Sequence, residues 1–147
     1  MPDATNNPRQ LVVFTLGTEQ YALPIQQVHE IIRYTEPRSV ASRADWVRGV
    51  ISLRGRIVPV YDLATRLGVP SQLTEDSKIV IVEAGAETAG VIVDGVEEVL
   101  TVQDEQIQDA PGADTTLIDS IAKIDNRLVV LLKPSAIFSG PDLALAA

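Results

Sequence analysis

The chain has 147 residues, no cysteine and a formal net charge of −8 at pH 7, and only 4% of its residues are aromatic. The absence of cysteine excludes disulfides, thiolate zinc sites and cysteine nucleophiles. The negative charge and scarce aromatic residues disfavour a nucleic-acid binder, and no apolar run approaches the roughly 20 residues that span a bilayer. The composition therefore predicts one cytoplasmic domain without membrane insertion, with a disordered leader at residues 1–9 and a short tail at 140–147.

Short runs of β-branched and aromatic residues follow one another along the chain, and each run predicts a strand. In chain order these runs are residues 11–16, 21–23, 49–54, 56–61, 78–84, 89–94, 96–102, 118–125 and 127–132. Strands this short and this evenly spaced are typical of small barrels and sandwiches. The sequence therefore predicts an all-β fold.

Three segments predict short helices between the strands. Pro24 opens PIQQVHEII, whose apolar residues have helical spacing, so we expect a short helix that runs into a strand. Asp62 and Gly68 bracket the segment DLATRLG as an N-cap and a C-terminal glycine. Pro134 begins the last helical segment, PSAIFSG.

The second half of the chain repeats the pattern of the first. An offset of 68 places residues 11–32 on 79–100, and an offset of 71 places residues 50–63 on 121–134. Both copies contain a strand, a turn, a second strand, a short helix or strand, a long loop, a hairpin and a helix. The repeat predicts two small barrels or curled sheets that share one core.

No arrangement of residues in the sequence indicates catalysis. His29 is the single histidine, so a histidine-based metal cluster is not available. GAETAG at residues 85–90 lacks the lysine and the following helix of a phosphate-binding loop. Asp62, Asp94 and Asp104 are better explained as a helix cap and turn or loop residues than as paired catalytic carboxylates. We therefore predict no catalytic residue, no metal site and no cofactor.

A few apolar residues edged by charges indicate a protein-docking surface instead. Glu30 and Glu98 occupy equivalent repeat positions, and Val28, Ile31, Val96 and Val99 accompany them. Three arginines, Arg48, Arg54 and Arg56, surround the first hairpin. The alternative reading is that the aliphatic residues belong to the core. A nucleic-acid-binding barrel and an enzyme or small-ligand module also remain open at this point.

One stretch, VRGVISLRGRIVPVYDLATRLGV, resembles the signature of the CheW family of chemotaxis coupling proteins. Three other stretches are similar to that family in the same order: LVVFTLGTEQYALPIQQVHEII, KIVIVEAGAETAGVIVDGVEEVL and IAKIDNRLVVLLKPSAIF. The resemblance covers residues 10–139. It implies two SH3-like five-stranded β-barrels packed together, approximately residues 10–70 and 71–139, with the chain able to cross between them.

The resemblance also implies a function without catalysis. Members of the family bridge the cytoplasmic tips of methyl-accepting chemoreceptors to the C-terminal regulatory domain of the histidine kinase CheA, and mixed rings form because that domain is itself similar to CheW. Related adaptors serve surface motility or gene regulation. Carried over by motif position, the expected receptor-binding residues are Val28, Glu30, Ile31, Gly49, Arg54 and Val99. The expected structural residues of the motif are Gly55, Arg56, Pro59 and Asp62.

Some positions depart from the family pattern or from the repeat. Ser52, Ala64, Ser120, Ala122 and Lys133 stand where the family usually has other residues. In the repeat, Arg56 corresponds to Arg127, whereas Arg54 corresponds to Asp125. We therefore expect Arg56 to serve the scaffold and Arg54 to contact a partner, pairing with Glu30. Pro59 lacks a backbone donor, which predicts an edge strand or a bulge.

Overall fold

The protein, analysed as a computed structural model, is described for residues 8–42, 44–110, 112 and 117–138. The strands are β1 (Arg9–Leu16), β2 (Glu19–Pro24), β3 (Val28–Arg33), β4 (Val47–Leu53), β5 (Arg56–Asp62), β6 (Lys78–Ala84), β7 (Glu87–Val93), β8 (Gly95–Val102), β9 (Ile107–Gln108), β10 (Ile118–Ile124) and β11 (Arg127–Leu132). The helices are α1 (Leu63–Leu67) and α2 (Pro134–Ile137), and 3-10 turns occur at Ile25–Gln27 and Asp104–Gln106. Residues 1–7 of the predicted leader and the predicted tail lie outside the described residues.

The strands form two sheets, which confirms the all-β prediction. Sheet A has the order β8-β1-β2-β11-β10-β9, and sheet B has the order β3-β6-β7-β5-β4. Each sheet contains one parallel pair, β2 with β11 in sheet A and β5 with β7 in sheet B. The chain crosses between the sheets at the Ile25–Gln27 turn and returns at Asp94, so each sheet takes strands from both halves of the sequence.

The predicted repeat is present in the backbone. Offsets of 68 and 71 superpose β3-β6-β7-β5-β4 on β8-β1-β2-β11-β10, strand for strand. The irregularities repeat as well, because His29 and Glu97 are the unpaired bulge residues of β3 and β8. Arg54 and Asp125, the equivalent turn residues, both have left-handed backbone, with φ of 52° and 55°. The operation carries each sheet onto the other and is therefore a pseudo-twofold rotation.

Three hydrophobic clusters account for the packing. Leu11, Val13 and Ala122 belong to a cluster within sheet A, and residues of sheet B that include Ile79 and Ile81 form the corresponding cluster there. The third and largest cluster, the shared core, joins the sheets through residues such as Phe14, Leu16, Tyr21, Val80, Val82, Val91, Leu132 and Ile137. The two curled sheets are therefore fused by a common apolar interior.

The short helix that was expected to run into a strand after Pro24 is present as the 3-10 helix Ile25–Gln27, and pairing with β6 holds the following residues in β3. One local expectation needs correction. Pro59 lies in an interior strand, not at an edge or a bulge, so that prediction is wrong. Val50, opposite Pro59, directs its own N–H and C=O to Arg38 instead. The pairing of β5 with β7 begins only at Val60, so the proline nitrogen removes no ladder hydrogen bond.

Candidate functional site

Glu30 and Arg54 form an ion pair that joins opposite ends of sheet B. Glu30 lies on β3, one edge strand, and Arg54 lies in the turn that follows β4, the other edge strand. The Arg54 guanidinium donates a hydrogen bond to the Glu30 carboxylate, which confirms the predicted pairing. The hydrogen bond from Arg54 lowers the pKa of Glu30 and raises that of Arg54. The Arg54 side chain remains 70% exposed, so it presents charge to the solvent as well as to Glu30.

Four aliphatic residues surround the place where the chain crosses between the sheets. Val28 is the first residue of β3 and Val96 is the second residue of β8, and both are partly buried against the shared core. Ile31 and Val99, three residues farther along each strand, are 40% and 53% exposed. We use the name seam groove for these four residues, Val28, Ile31, Val96 and Val99, which flank the crossing of the chain between the sheets. It has a partly buried base and two exposed aliphatic side chains, a chemistry that fits the apolar face of a helix.

Gly49 differs from the other predicted receptor-binding residues because it is buried. Its φ is 141°, and a Cβ atom built there would lie 1.9 Å from the carbonyl oxygen of Arg38. The backbone of residues 38–39 thus packs directly over Gly49. The structure brings Glu30 and Arg54 into contact, and it places Gly49 underneath a neighbouring segment.

The second half of the repeat contains a related ion pair with a different arginine. Arg127 donates to Glu98 at 2.8 Å and to Gln20 at 3.0 Å. In the first half the equivalent residue, Arg56, donates to Thr88 at 3.4 Å, and Thr88 is the repeat counterpart of Gln20. Glu98 depends on Arg127 because the turn residue equivalent to Arg54 is an aspartate. The sequence alone did not reveal that Glu98 pairs with Arg127, whereas its counterpart Glu30 pairs with Arg54.

Asp62 caps α1 and also fixes an arginine. Its Oδ1 accepts the backbone N–H of Thr65 at 3.2 Å, and its Oδ2 accepts Nη2 of Arg48 at 2.7 Å. Gly68 ends the helix in the left-handed conformation, with φ of 74°. The predicted cap is confirmed, and Arg48, one of the three arginines around the first hairpin, has a local structural partner.

Comparison with known proteins identifies the family. Residues 10–142 match the family model described as the CheW-like domain. This chain belongs to the CheW-like domain family. The match includes both sheets and every residue of the seam groove.

Two curated relatives match most of this CheW-like chain, and a third matches about half of it. The "Chemotaxis protein CheW" of Klebsiella aerogenes is 32% identical over 93% of this chain and 86% of that protein. The "Probable chemotaxis protein CheW" of Rhizobium etli is 34% identical over 89% and 88%. "Protein PilI" of Pseudomonas aeruginosa is 36% identical over 56% of this chain and 47% of that protein. The crystal structure of scaffolding protein TtCheW from Thermoanaerobacter tengcongensis shares 36% identity with a TM-score of 0.81, covering 86% of this chain and 85% of that chain.

Only a small cavity of this CheW-like domain lies at the ion pair, among the residues that the structure describes. The space between Glu30, Arg54 and Arg56 amounts to about 60 Å³. A larger cavity of about 540 Å³ lies at the β1–β2 turn. There Asp94, predicted only as a turn residue, accepts the N–H of Gly17 at 2.6 Å and the hydroxyl of Ser71. Sequence reasoning missed this carboxylate because its partners are distant in the chain.

Neither a metal site nor a membrane-spanning helix is found in the part of the chain that the structure describes. Within it, no three His, Cys, Asp or Glu side chains are grouped closely enough to hold a metal ion. The helices among these residues are also too short and insufficiently apolar to cross a bilayer.

Proposed function

We propose that this CheW-like chain is a non-catalytic scaffold that couples methyl-accepting chemoreceptors to the histidine kinase CheA. The observation that carries the proposal is the Glu30–Arg54 pair, next to the exposed Ile31 on β3, with the exposed Val99 at the equivalent position of β8. Family membership supports a role in chemotaxis signalling. An ion pair next to an exposed apolar surface supports docking of a protein partner rather than chemistry on a small substrate.

The receptor would bind as a helix whose apolar face lies in the seam groove. Val28, Ile31 and Val99 supply contact area, while the exposed guanidinium of Arg54 selects the register of the helix. Glu30 holds Arg54 in place. Gly49 acts indirectly, because it allows the segment at Arg38 to pack closely against β4.

The same scaffold would join the C-terminal regulatory domain of CheA in rings, with further copies of this chain able to take part. In this proposal the protein works in the cytoplasm and is recruited to receptor arrays at the inner face of the membrane. It needs no cofactor, does not bind nucleic acid and does not insert into the lipid. Signal passes through the relative placement of receptor and kinase.

The test is a pull-down of purified receptor tip and kinase with the wild-type protein and with Arg54→Ala. We expect Arg54→Ala to reduce receptor capture roughly tenfold, because a charge that orients the partner is lost. The matched control is Arg9→Ala, since Arg9 is also exposed and pairs with Asp104 at 3.6 Å, at the start of β1. Equal losses in the two variants, or a wild-type protein that captures no receptor, would refute the proposal.

A second candidate is an adaptor of a chemosensory pathway that controls surface motility or gene regulation. The match to "Protein PilI" over 56% of this chain motivates it, because a relative with a different name is similar to this chain. Co-purification of the tagged chain from its own cell decides between the two candidates by the kinase and receptor that accompany it.

A further inference from the structure

The floor of the seam groove is symmetric. β3 and β8 both begin where the chain crosses between the sheets, and Val28 and Val96 both pack against the shared core. The repeat relates these two strands by the pseudo-twofold rotation, so each half of the groove is the rotated copy of the other. A helix that lies across such an axis therefore contacts equivalent backbone positions whichever of its two ends faces sheet A.

The exposed apolar residues obey the same symmetry. Five large hydrophobic residues are exposed in the part of the chain that the structure describes, and four of them form two related pairs. Ile31 corresponds to Val99 at an offset of 68, and Ile57 corresponds to Leu128 at an offset of 71. Apolar contact alone therefore does not distinguish the two directions of a bound helix.

The charges break this symmetry. Glu30 and Glu98 are equivalent, yet one pairs with Arg54 in the hairpin turn and the other with Arg127 on β11. At the turn position itself, sheet B presents Arg54 and sheet A presents Asp125, with nearly identical backbone angles. Both turn side chains are exposed to the solvent.

The bulge residues also differ, because His29 in β3 corresponds to Glu97 in β8. The surrounding charges are mixed in both sheets: His29 lies 3.6 Å from Glu83 in sheet B, and Lys123 on β10 precedes Asp125 in sheet A. The clear difference is at the turns themselves, where sheet B has the cation Arg54 and sheet A has the anion Asp125.

We propose that the opposite charges of Arg54 and Asp125 fix the direction in which a partner helix lies in the seam groove. The occupant is an amphipathic helix that places acidic side chains near Arg54 and lysine or arginine side chains near Asp125. The inference rests on the proposed function, since it concerns the helix that the seam groove receives. It adds the polarity of that helix and names Asp125 as a determinant of orientation.

The probe is a synthetic amphipathic helix with leucines along one face, glutamates in its first turn and lysines in its last turn, the polarity that the helix dipole favours. A spin label is attached to its N-terminus in one sample and to its C-terminus in another. Broadening of backbone amide signals in NMR spectra then reports which end lies near which sheet. With the wild-type protein we expect the N-terminal label to broaden Ile31 and its neighbours, and the C-terminal label to broaden Val99 and its neighbours.

The decisive variant is the charge exchange R54D/D125R. It should reverse the broadening pattern while the affinity stays within about twofold, whereas each single reversal should weaken binding about three- to tenfold. Thermal melts check that the variants fold, and Asp125→Asn removes the charge while keeping a residue that tolerates left-handed backbone.

An unchanged broadening pattern in R54D/D125R would overturn the inference, and so would binding of the peptide away from the groove. Either result leaves the proposed function intact if receptor capture still depends on Arg54. Conversely, a reversed pattern together with a wild-type protein that captures no receptor would reject the proposed function and keep the directional groove.

Discussion

Arg54 donates its hydrogen bond to Glu30 across the gap between the two edges of sheet B, so this one contact links the β4–β5 turn to β3. The counterpart link in sheet A uses Arg127 and Glu98. In both sheets a glutamate of the third repeat strand pairs with an arginine of the hairpin, but Arg127 lies on the interior strand β11 and not in a turn beyond an edge strand. Only the first of these arginines lies in the turn, where it is free to meet a partner.

The first prediction concerns the ionisation of Glu30. Its pKa is lowered from 4.5, first by the hydrogen bond from Arg54. Because the folded value lies below the unfolded one, the ionised pair favours folding above the unfolded pKa, and this contribution is lost as the pH falls through the folded pKa. In Arg54→Ala the titration of Glu30 should move up toward 4.5, as followed by carboxyl carbon NMR.

Arg9→Ala is the control for this titration, because it removes a charge that has no contact with Glu30. The curve of Glu30 should be the same in Arg9→Ala and in the wild type. A Glu30 curve that does not change in Arg54→Ala would show that the pair does not persist in solution.

The second prediction concerns Gly49 and asks whether this residue is needed for folding or contacts the partner directly. Gly49→Ala should lower the free energy of unfolding by about 3 kcal/mol or more, because the new methyl group would collide with backbone and not with a flexible side chain. Gly85→Ala is the control, since Gly85 also has positive φ, 63°, but nothing lies within 4 Å of its Cβ position. Its cost should be about 1 kcal/mol, from left-handed backbone alone. Urea denaturation that gives equal losses would contradict this account.

The third prediction separates the two roles of Asp62. Asp62→Ala removes both the α1 cap and the partner of Arg48, and should cost about 1–2 kcal/mol of folding free energy. Asp62→Asn keeps an oxygen for the N–H of Thr65 but loses the ion pair. Since Arg48 and Asp62 are 41% and 22% exposed, most of the loss should come from the cap. Equal destabilisation of both variants in urea titrations would assign the role to the ion pair instead.

Much of the secondary structure could be predicted from short-range features of the sequence. The strands followed from β-branched runs, and the α1 cap followed from Asp62 and Gly68, because these signals act over a few residues. The pairing of Arg54 with Glu30 followed from motif and repeat positions. The crossing of the chain between sheets was expected from the family resemblance alone, because the parallel pairs β2–β11 and β5–β7 join strands that are far apart in sequence and leave no local signal.

Pro59 and Gly49 show why local sequence patterns could not predict the environment of every residue. A proline is tolerated in the interior strand β5 because Val50 bonds to Arg38 instead, a contact with no signature in the hairpin itself. The same segment covers Gly49, so a residue expected at a docking surface is buried. Both outcomes depend on where a single loop residue packs.

The last prediction concerns the apolar part of the seam groove. Ile31→Ser and Val99→Ser should each weaken binding of the receptor tip about five- to tenfold, because burying an aliphatic side chain on docking contributes roughly 1.5 kcal/mol or more. Both side chains are exposed in the free protein, at 40% and 53%, so the melting temperature should fall by less than about 2 °C. Leu73→Ser is the matched control, because Leu73 is 57% exposed in the loop before β6. Titration calorimetry with the purified tip measures all three variants. If Leu73→Ser weakens binding as much as Ile31→Ser, the loss reflects general surface apolarity, and the seam groove is not the docking site.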